Sequence, residues 1–155
     1  MAQNTGYLLH EGAIPNNVFV TGNSIMDSVL GIVHQKCNTL CKFMSPDDID
    51  VFKMILVTSH KKVNWGKPLK DLCHALIDLT QAYPDIQIAF PLKFKSDVRD
   101  TVGEIMKKRE RIHLLDQLPY EAFVEAMARS YLMITDSDCI AEEGLALHKP
   151  VLLLQ

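Results

Sequence analysis

The sequence lacks the glycine-rich patterns that commonly hold the phosphates of a nucleotide. It has seven glycines in 155 residues, with neither a G-x-G-x-x-G run nor a P-loop pattern. No apolar run approaches the roughly 18 residues that span a bilayer, and residues 1–12 lack the basic flank and apolar core of a secretory signal. We therefore expect a cytoplasmic protein without a membrane partner. Any phosphate it binds would have to sit on backbone N–H groups at the start of a helix.

The sequence also has little that would bind a metal or a nucleic acid. Of its four cysteines only Cys37 and Cys41 lie close together, and neither a second pair nor a pair of histidines completes a zinc site. We predict no metal and no cofactor, with the cysteines as incidental thiols in a reducing compartment. The net charge is −3, and the basic residues are scattered apart from a short run at residues 107–111. A nucleic-acid surface would need a broader basic area.

The length and the hydrophobic pattern indicate one soluble α/β domain. Hydrophobic residues make up 48% of the chain and charged residues 23%, and 155 residues can bury a sizeable core. Strands are predicted at residues 18–20, 54–58, 86–90, 112–115, 132–135 and 151–154. Helices are predicted at about residues 24–34, 69–79, 97–108, 120–130 and 140–147. Short apolar strands that alternate with helices predict a Rossmann-like parallel sheet of about six strands, with helices on both faces.

The two ends of the sequence look like the ends of a piece. Residues 1–16 read as a helix and a loop that lead in from a preceding domain, and the chain stops within a predicted strand. We therefore expect residues 1–155 to form a single ligand-binding domain from a longer protein, truncated at its C-terminal end.

Polar residues follow the predicted strands, where ligands gather in open parallel sheets. The helix after Thr135 could hold a phosphate at its start, although Asp136 or Ser137 could instead simply cap it. His60 follows a buried strand and could be structural or could contact an anion. Glu143, early in the same helix, could merely suit the helix dipole.

Taken in order, these loops resemble the motifs of one family, the non-hydrolysing UDP-N-acetylglucosamine 2-epimerases, which have the two-domain glycosyltransferase-B architecture. The matching segments are EG at residues 11–12, VTGNSIMD at 20–27, TSHKKVNWGKPL at 58–69, YPD at 83–85, PLK at 91–93, YEAF at 120–123, TDSDCIAEE at 135–143 and HKPVL at 148–152. The match is collinear and covers almost the whole chain, so it is far more specific than any one motif.

The resemblance implies a role for several residues. In the family the N-terminal domain carries the carboxylates that move the proton at C2 of the sugar, and the C-terminal domain binds UDP. His60 falls on the active-site histidine at the diphosphate side, and Glu143 on the carboxylate that hydrogen-bonds the ribose. The positions that match the uridine and diphosphate contacts are Leu118 and Phe123 for uridine, and Ser137, Asp138 and Cys139 for the diphosphate.

The sequence departs from the family pattern at the same place. Asp138 and Cys139 replace two glycines, and an aspartate puts a negative charge beside an anion. Lys61 and Lys93 replace an arginine and a histidine that touch a second, activating UDP-sugar in bacterial members, and lysine lacks the forked geometry of arginine. His148 replaces a glycine at a helix end.

We therefore predict the UDP-binding half of an epimerase that interconverts UDP-N-acetylglucosamine and UDP-N-acetylmannosamine, inactive in isolation. Its expected partners are a UDP-sugar and either the missing N-terminal domain or further copies of the chain. The alternatives are a divergent UDP-binding module without catalysis, a fragment of a hydrolysing epimerase and, more distantly, a sugar transferase of the same architecture.

Overall fold

The computed structural model describes residues 2–35, 38–59, 61, 64–92, 96–107 and 109–154. In these ranges the helices are α1 (Ala2–His10), α2 (Ser24–His34), α3 (Pro46–Val51), α4 (Lys67–Ala82), α5 (Ser96–Met106), α6 (Tyr120–Arg129) and α7 (Asp138–Ala146). The strands are β1 (Lys53–Thr58), β2 (Ile86–Pro91), β3 (Ile112–Leu115), β4 (Leu132–Thr135) and β5 (Val151–Leu153). None of the described helices combines the length and the apolar character needed to cross a membrane.

The five strands form one parallel sheet in the order β3-β2-β1-β4-β5. The chain builds outward from β1 through β2 to β3, then returns to the other side of β1 for β4 and β5. The order therefore reverses between β1 and β4, and in open α/β sheets the crevice at such a switch point is where ligands bind. Thr58 and Thr135, the last residues of β1 and β4, are register partners at that crevice.

Alternating side chains of the sheet feed two separate cores. Met54 and Leu56 of β1 pack on one face with residues of α2 and α6, whereas Ile55 and Val57 pack on the other face with residues of α4 and α5. All four side chains are at most 1% exposed. The predicted parallel sheet with helices on both faces is confirmed. Its central strands are continuous apolar runs in the sequence because both of their faces are buried.

The predicted strand at residues 18–20 is wrong, so the sheet has five strands in the described residues rather than about six. The backbone N–H of Val18 donates to the oxygen of Pro15 and closes a short 3-10 turn. Phe19 and Val20 are 78% and 66% exposed. β-Propensity alone cannot make a strand where no neighbouring strand takes up the backbone hydrogen bonds.

Close packing and a left-handed residue define the path of α7 across the sheet. A Cβ atom added to Gly144 would lie 2.7 Å from the sulfur of Met133 and 2.9 Å from a methyl carbon of Val151. Only glycine therefore lets α7 approach β4 and β5 this closely. The helix then ends before His148, whose φ of 56° lies in the region that glycine adopts at least cost.

Candidate functional site

The two central strands are joined by hydroxyl groups where they end. The Thr58 hydroxyl donates to the hydroxyl oxygen of Thr135 over 2.7 Å, and both residues are at most 2% exposed. The same Thr135 oxygen accepts the backbone N–H of Ser137 at 3.1 Å. The chain that leaves β4 is therefore held to the end of β1 before α7 begins.

Asp136 is fully buried and bonds to the segment that follows β1. Its Oδ2 accepts from the Ser59 hydroxyl at 3.0 Å, from the backbone N–H of Lys61 at 2.9 Å and from the Asn64 amide at 3.0 Å. Asp136 is thus not the cap of α7, for which the sequence had left Asp136 and Ser137 as alternatives. Sequence reasoning missed its actual contacts, because partners more than seventy residues away in the chain leave no local pattern.

Ser137 is the residue that caps α7. Its Oγ accepts the backbone N–H of Ile140 at 3.5 Å, and the helical hydrogen bonds begin with the N–H of Ala141, which donates to the oxygen of Ser137 at 3.0 Å. The N–H groups of Asp138 and Cys139 precede that first helical bond. Together with the dipole of the helix they form a weakly positive surface at the carboxyl edge of the sheet.

A lysine from the segment after β1 faces this helix start. The Lys61 ammonium lies 3.5 Å from the Asp138 carboxylate, with the two side chains 46% and 73% exposed. Asp138 therefore points outward as a counter-ion of Lys61. Of the other predicted residues, His60 and Lys93 lie outside the described residues.

A cleft of about 230 Å³ opens next to the start of α7. Its lining combines two residues predicted for the site, Leu118 and Phe123, with five to which the sequence assigned no role there, namely Thr58, Pro91, Gln117, Tyr120 and Ile140. Phe123 is half-buried and packs against the core, and Leu118 is 7% exposed. Tyr120 is the first residue of a predicted helix that begins at this edge of the sheet. That position was the signal that could have identified Tyr120 as a residue of the cleft.

Glu143 is a buried carboxyl beside the cleft. It is 8% exposed, and burial raises its pKa above the usual range of a glutamate. Glu143 lies three residues after Ile140 in α7, on the same side of the helix as this cleft residue. The pKa of Tyr120 is also raised, first by burial and then by the negative charge of Glu143. Glu143 therefore offers a carboxylate oxygen that a hydroxyl group of a ligand could satisfy.

The described residues include no cluster of three or more His, Cys, Asp or Glu side chains that could hold a metal ion. The cysteines described are free, and they differ in environment. Burial raises the pKa of the Cys73 thiol to about 11, which keeps it protonated and unreactive. Cys139 is exposed at the start of α7.

These features are those of a ligand-binding open α/β domain. An open parallel α/β domain carries, at its switch point, an apolar cleft, a buried carboxyl and a capped helix start. Such a site suits a ligand that combines a planar ring, hydroxyl groups and an anion.

Comparison with known proteins gives the family. The family model described as UDP-N-acetylglucosamine 2-epimerase matches residues 1–155. The UDP-N-acetylglucosamine 2-epimerase of Escherichia coli O157:H7 is 35% identical over 157 residues, which cover 96% of this chain and 41% of that protein. The Yersinia pestis enzyme of the same name is 34% identical over 154 residues, with 96% of this chain and 41% of that protein covered.

Solved structures agree with this match. The S. aureus MnaA-UDP co-structure has a TM-score of 0.87 at 30% identity and covers 99% of this chain and 41% of that one. The Neisseria meningitidis UDP-GlcNAc 2-epimerase bound to UDP-GlcNAc has a TM-score of 0.83 at 28% identity, with 99% and 43% covered. The chain belongs to the UDP-N-acetylglucosamine 2-epimerase family, and it spans about 40% of the length of these relatives.

Proposed function

We propose that this domain binds the UDP part of UDP-N-acetylglucosamine. It would serve as the nucleotide-binding half of an epimerase that interconverts this sugar nucleotide with UDP-N-acetylmannosamine. The observation that carries the proposal is the position of the Leu118–Phe123 cleft beside the start of α7, with the buried carboxyl of Glu143 one helical turn after the cleft residue Ile140. Relatives with the same fold are described in complex with UDP and with UDP-GlcNAc.

Each part of the nucleotide has a matching part of the site. The uracil ring would enter the cleft between Leu118 and Phe123, where apolar side chains replace water on its faces. A ribose hydroxyl would donate to the Glu143 carboxylate and so offset its burial. The diphosphate would lie at the N–H groups of Asp138 and Cys139 beyond the Ser137 cap, with His60 at its other side as the resemblance implies.

We propose further that catalysis needs a second polypeptide region. In the family the carboxylates that move the C2 proton belong to an N-terminal domain, and without such a base the proton cannot leave C2. Residues 1–155 would then be one UDP-binding domain, with residues 1–16 as its lead-in. The exposed apolar side chains of Phe19 and Val20 would contact that N-terminal domain or another copy of the chain. The expected place of action is the cytoplasm.

A titration with nucleotides tests the binding proposal. NMR spectra of the labelled chain would be followed with UDP, CDP, ADP and uridine, and the same series repeated with Phe123→Ala and with Leu145→Ala, an exposed residue of α7 that does not line the cleft. We expect UDP to bind more tightly than ADP, and Phe123→Ala to weaken UDP by roughly tenfold while Leu145→Ala does not. Equal binding of all the diphosphates, or an unchanged affinity in Phe123→Ala, would contradict the proposal.

An activity assay tests the need for a second region. The purified chain would be incubated with UDP-N-acetylglucosamine and the products identified by NMR, with His60→Ala as the control. We expect no turnover. UDP-N-acetylmannosamine formed by the chain and lost in His60→Ala would show that the chain is a complete epimerase, whereas release of free UDP and N-acetylmannosamine would identify the hydrolysing type.

A non-catalytic UDP-binding module is the second candidate. It is favoured by one observation, the negative Asp138 at the helix start where the family pattern has glycine. Activity restored by adding the N-terminal half of a family member would exclude this candidate, and UDP binding without any restored activity would support it.

A further inference from the structure

The buried carboxylate of Asp136, directly after β4, bonds to residues that follow the neighbouring strand β1. One of its oxygens accepts hydrogen bonds from three described residues between β1 and α4, namely Ser59, Lys61 and Asn64. A carboxylate with 0% exposure needs such donors to offset the loss of water. The negative charge of Asp136 is thus stabilised by Ser59, Lys61 and Asn64, and its hydrogen bonds in turn hold these residues in place.

The bonds of Asp136 fix three described residues between β1 and α4. Ser59 directly follows β1, Asn64 lies three residues before α4, and Lys61 lies between them. The backbone N–H of Asn64 also donates to the oxygen of Lys61 at 3.0 Å. Neither a strand nor an α-helix holds residues 59, 61 and 64, so their placement depends on bonds of this kind.

Lys61 contacts the residue before the cap of α7 through its backbone and the first residue of α7 through its side chain. Its backbone N–H donates to Asp136 at 2.9 Å, and its ammonium lies 3.5 Å from Asp138. Asp136 and Asp138 flank the Ser137 cap, so the lysine stands opposite the N–H groups that precede the first helical bond. A ligand anion at the helix start would meet the lysine as well.

We propose that Asp136 is a positioning residue of the nucleotide site: it holds the segment after β1 so that Lys61 faces the start of α7 and both act on the diphosphate. This inference rests on the proposed UDP site. Asp136 itself touches no ligand, and its effect passes through Lys61. Most of the uracil cleft is lined by Pro91 and by residues between 117 and 123, which lie outside the residues after β1 that bond to Asp136, so we expect uridine binding to depend little on Asp136.

The variant Asp136→Asn tests this role with little change in shape. The amide oxygen of asparagine is a weaker acceptor than a carboxylate oxygen, so the hydrogen bonds from Ser59, Lys61 and Asn64 would weaken. Glu125→Gln is the matched control, because Glu125 is another buried carboxylate that accepts two backbone N–H groups, those of Thr39 and Leu40 at 2.8 and 2.9 Å. Both variants would be compared with the unsubstituted chain in NMR titrations with UDP and with uridine, and in urea unfolding.

The expected result is a split between the two ligands. In Asp136→Asn the affinity for UDP should fall by roughly tenfold while that for uridine changes by less than about twofold, and Glu125→Gln should lower stability without changing the ratio of the two affinities. Equal losses for UDP and uridine, or no loss for either, would overturn the positioning role of Asp136. The proposed binding of UDP by the unsubstituted chain would still stand in both cases. If the unsubstituted chain binds neither ligand, the proposed function itself fails, and the inference fails with it.

A milder variant covers the case in which Asp136→Asn does not fold. Ser59→Ala removes one donor and keeps those at Lys61 and Asn64. It should produce a smaller loss that is again confined to UDP. A loss of uridine binding in Ser59→Ala, or an unchanged affinity for UDP, would count against the proposal.

Discussion

The Lys61 ammonium lies 3.5 Å from the Asp138 carboxylate, directly in front of the start of α7. Both side chains are largely open to solvent, and exposed pairs of this kind contribute little to stability. The pair can therefore open at little cost when a stronger anion arrives. A diphosphate at this helix start would compete with Asp138 for the same lysine and would be repelled by its negative charge.

Removal of Asp138 should accordingly strengthen UDP binding. Asp138→Gly takes away the negative charge and the Cβ together, and we expect a gain in UDP affinity of about tenfold or more, equivalent to at least ~1.4 kcal/mol. Calorimetric titration would measure it. Asp138→Asn separates the two effects, because it keeps the Cβ, so a gain shared by both variants would assign the effect to the charge. Unchanged affinity in both would place the diphosphate elsewhere.

Glu143 should make the stability of the chain depend on pH. Burial raises its pKa in the folded state, so its contribution to stability is fully present below the unfolded pKa and is lost as the pH rises through the folded value. We expect Glu143→Gln to increase the free energy of unfolding at pH 7 and to have little effect at about pH 4 or below. Urea unfolding at both pH values would measure this.

Glu121→Gln, at an exposed position in the first turn of α6, is the control for that experiment. It should show no such gain at pH 7. If Glu143→Gln destabilises the chain at pH 7, then Glu143 is stabilised by its surroundings in the folded state and the expected sign is wrong. The same variant should weaken UDP, because a neutral amide is a poorer acceptor for a ribose hydroxyl.

Gly144 and Gly103 should respond to alanine in opposite directions. Both lie within helices, but a Cβ at Gly144 would meet Met133 and Val151 at 2.7 and 2.9 Å, whereas a Cβ at Gly103 meets no atom within 4 Å. We expect Gly144→Ala to lower the free energy of unfolding by about 1–3 kcal/mol through overpacking. Gly103→Ala should raise it by about 0.5–1 kcal/mol. Equal effects in urea unfolding would mean that α7 can move away from the sheet.

His148 should be a position where glycine stabilises the chain. Its φ of 56° costs a residue with a Cβ about 1 kcal/mol relative to glycine. His148→Gly should raise the free energy of unfolding by about that amount. His74→Gly, on the exposed side of α4, should lower it by about 1 kcal/mol. Destabilisation by both substitutions would show that His148 makes contacts that outweigh its backbone conformation.

The exposed apolar side chains near residues 7–25 should make the chain associate or bind hydrophobic dyes. Tyr7, Ile14, Phe19 and Val20 are 62–78% exposed. We expect dye fluorescence and sedimentation to report this surface, and the double variant Phe19→Ser with Val20→Thr to reduce both signals. Val51→Thr, at a position 72% exposed in α3, should reduce neither. A monomeric, dye-silent chain at high concentration would contradict the prediction.

The sequence by itself determined most of the secondary structure and the family. The apolar stripe of α4 is buried at Leu69, Cys73 and Leu76, because helical spacing places these residues on one face whatever the rest of the chain does. Five of the predicted strands are present for a similar local reason, as runs of apolar residues too short for a helix. The family followed from motifs in linear order, which need no knowledge of contacts.

The tertiary structure decided what local pattern could not. Residues 18–20 have the composition of a strand but are not one, since a strand depends on a neighbour. Asp136 could have been a helix cap, and only the sheet order, which places the end of β4 beside the end of β1, gave its carboxylate three donors from the segment after β1. The pairing of Asp138 with Lys61 has the same origin: parallel strands that are far apart in the sequence end at one edge, and their loops meet there.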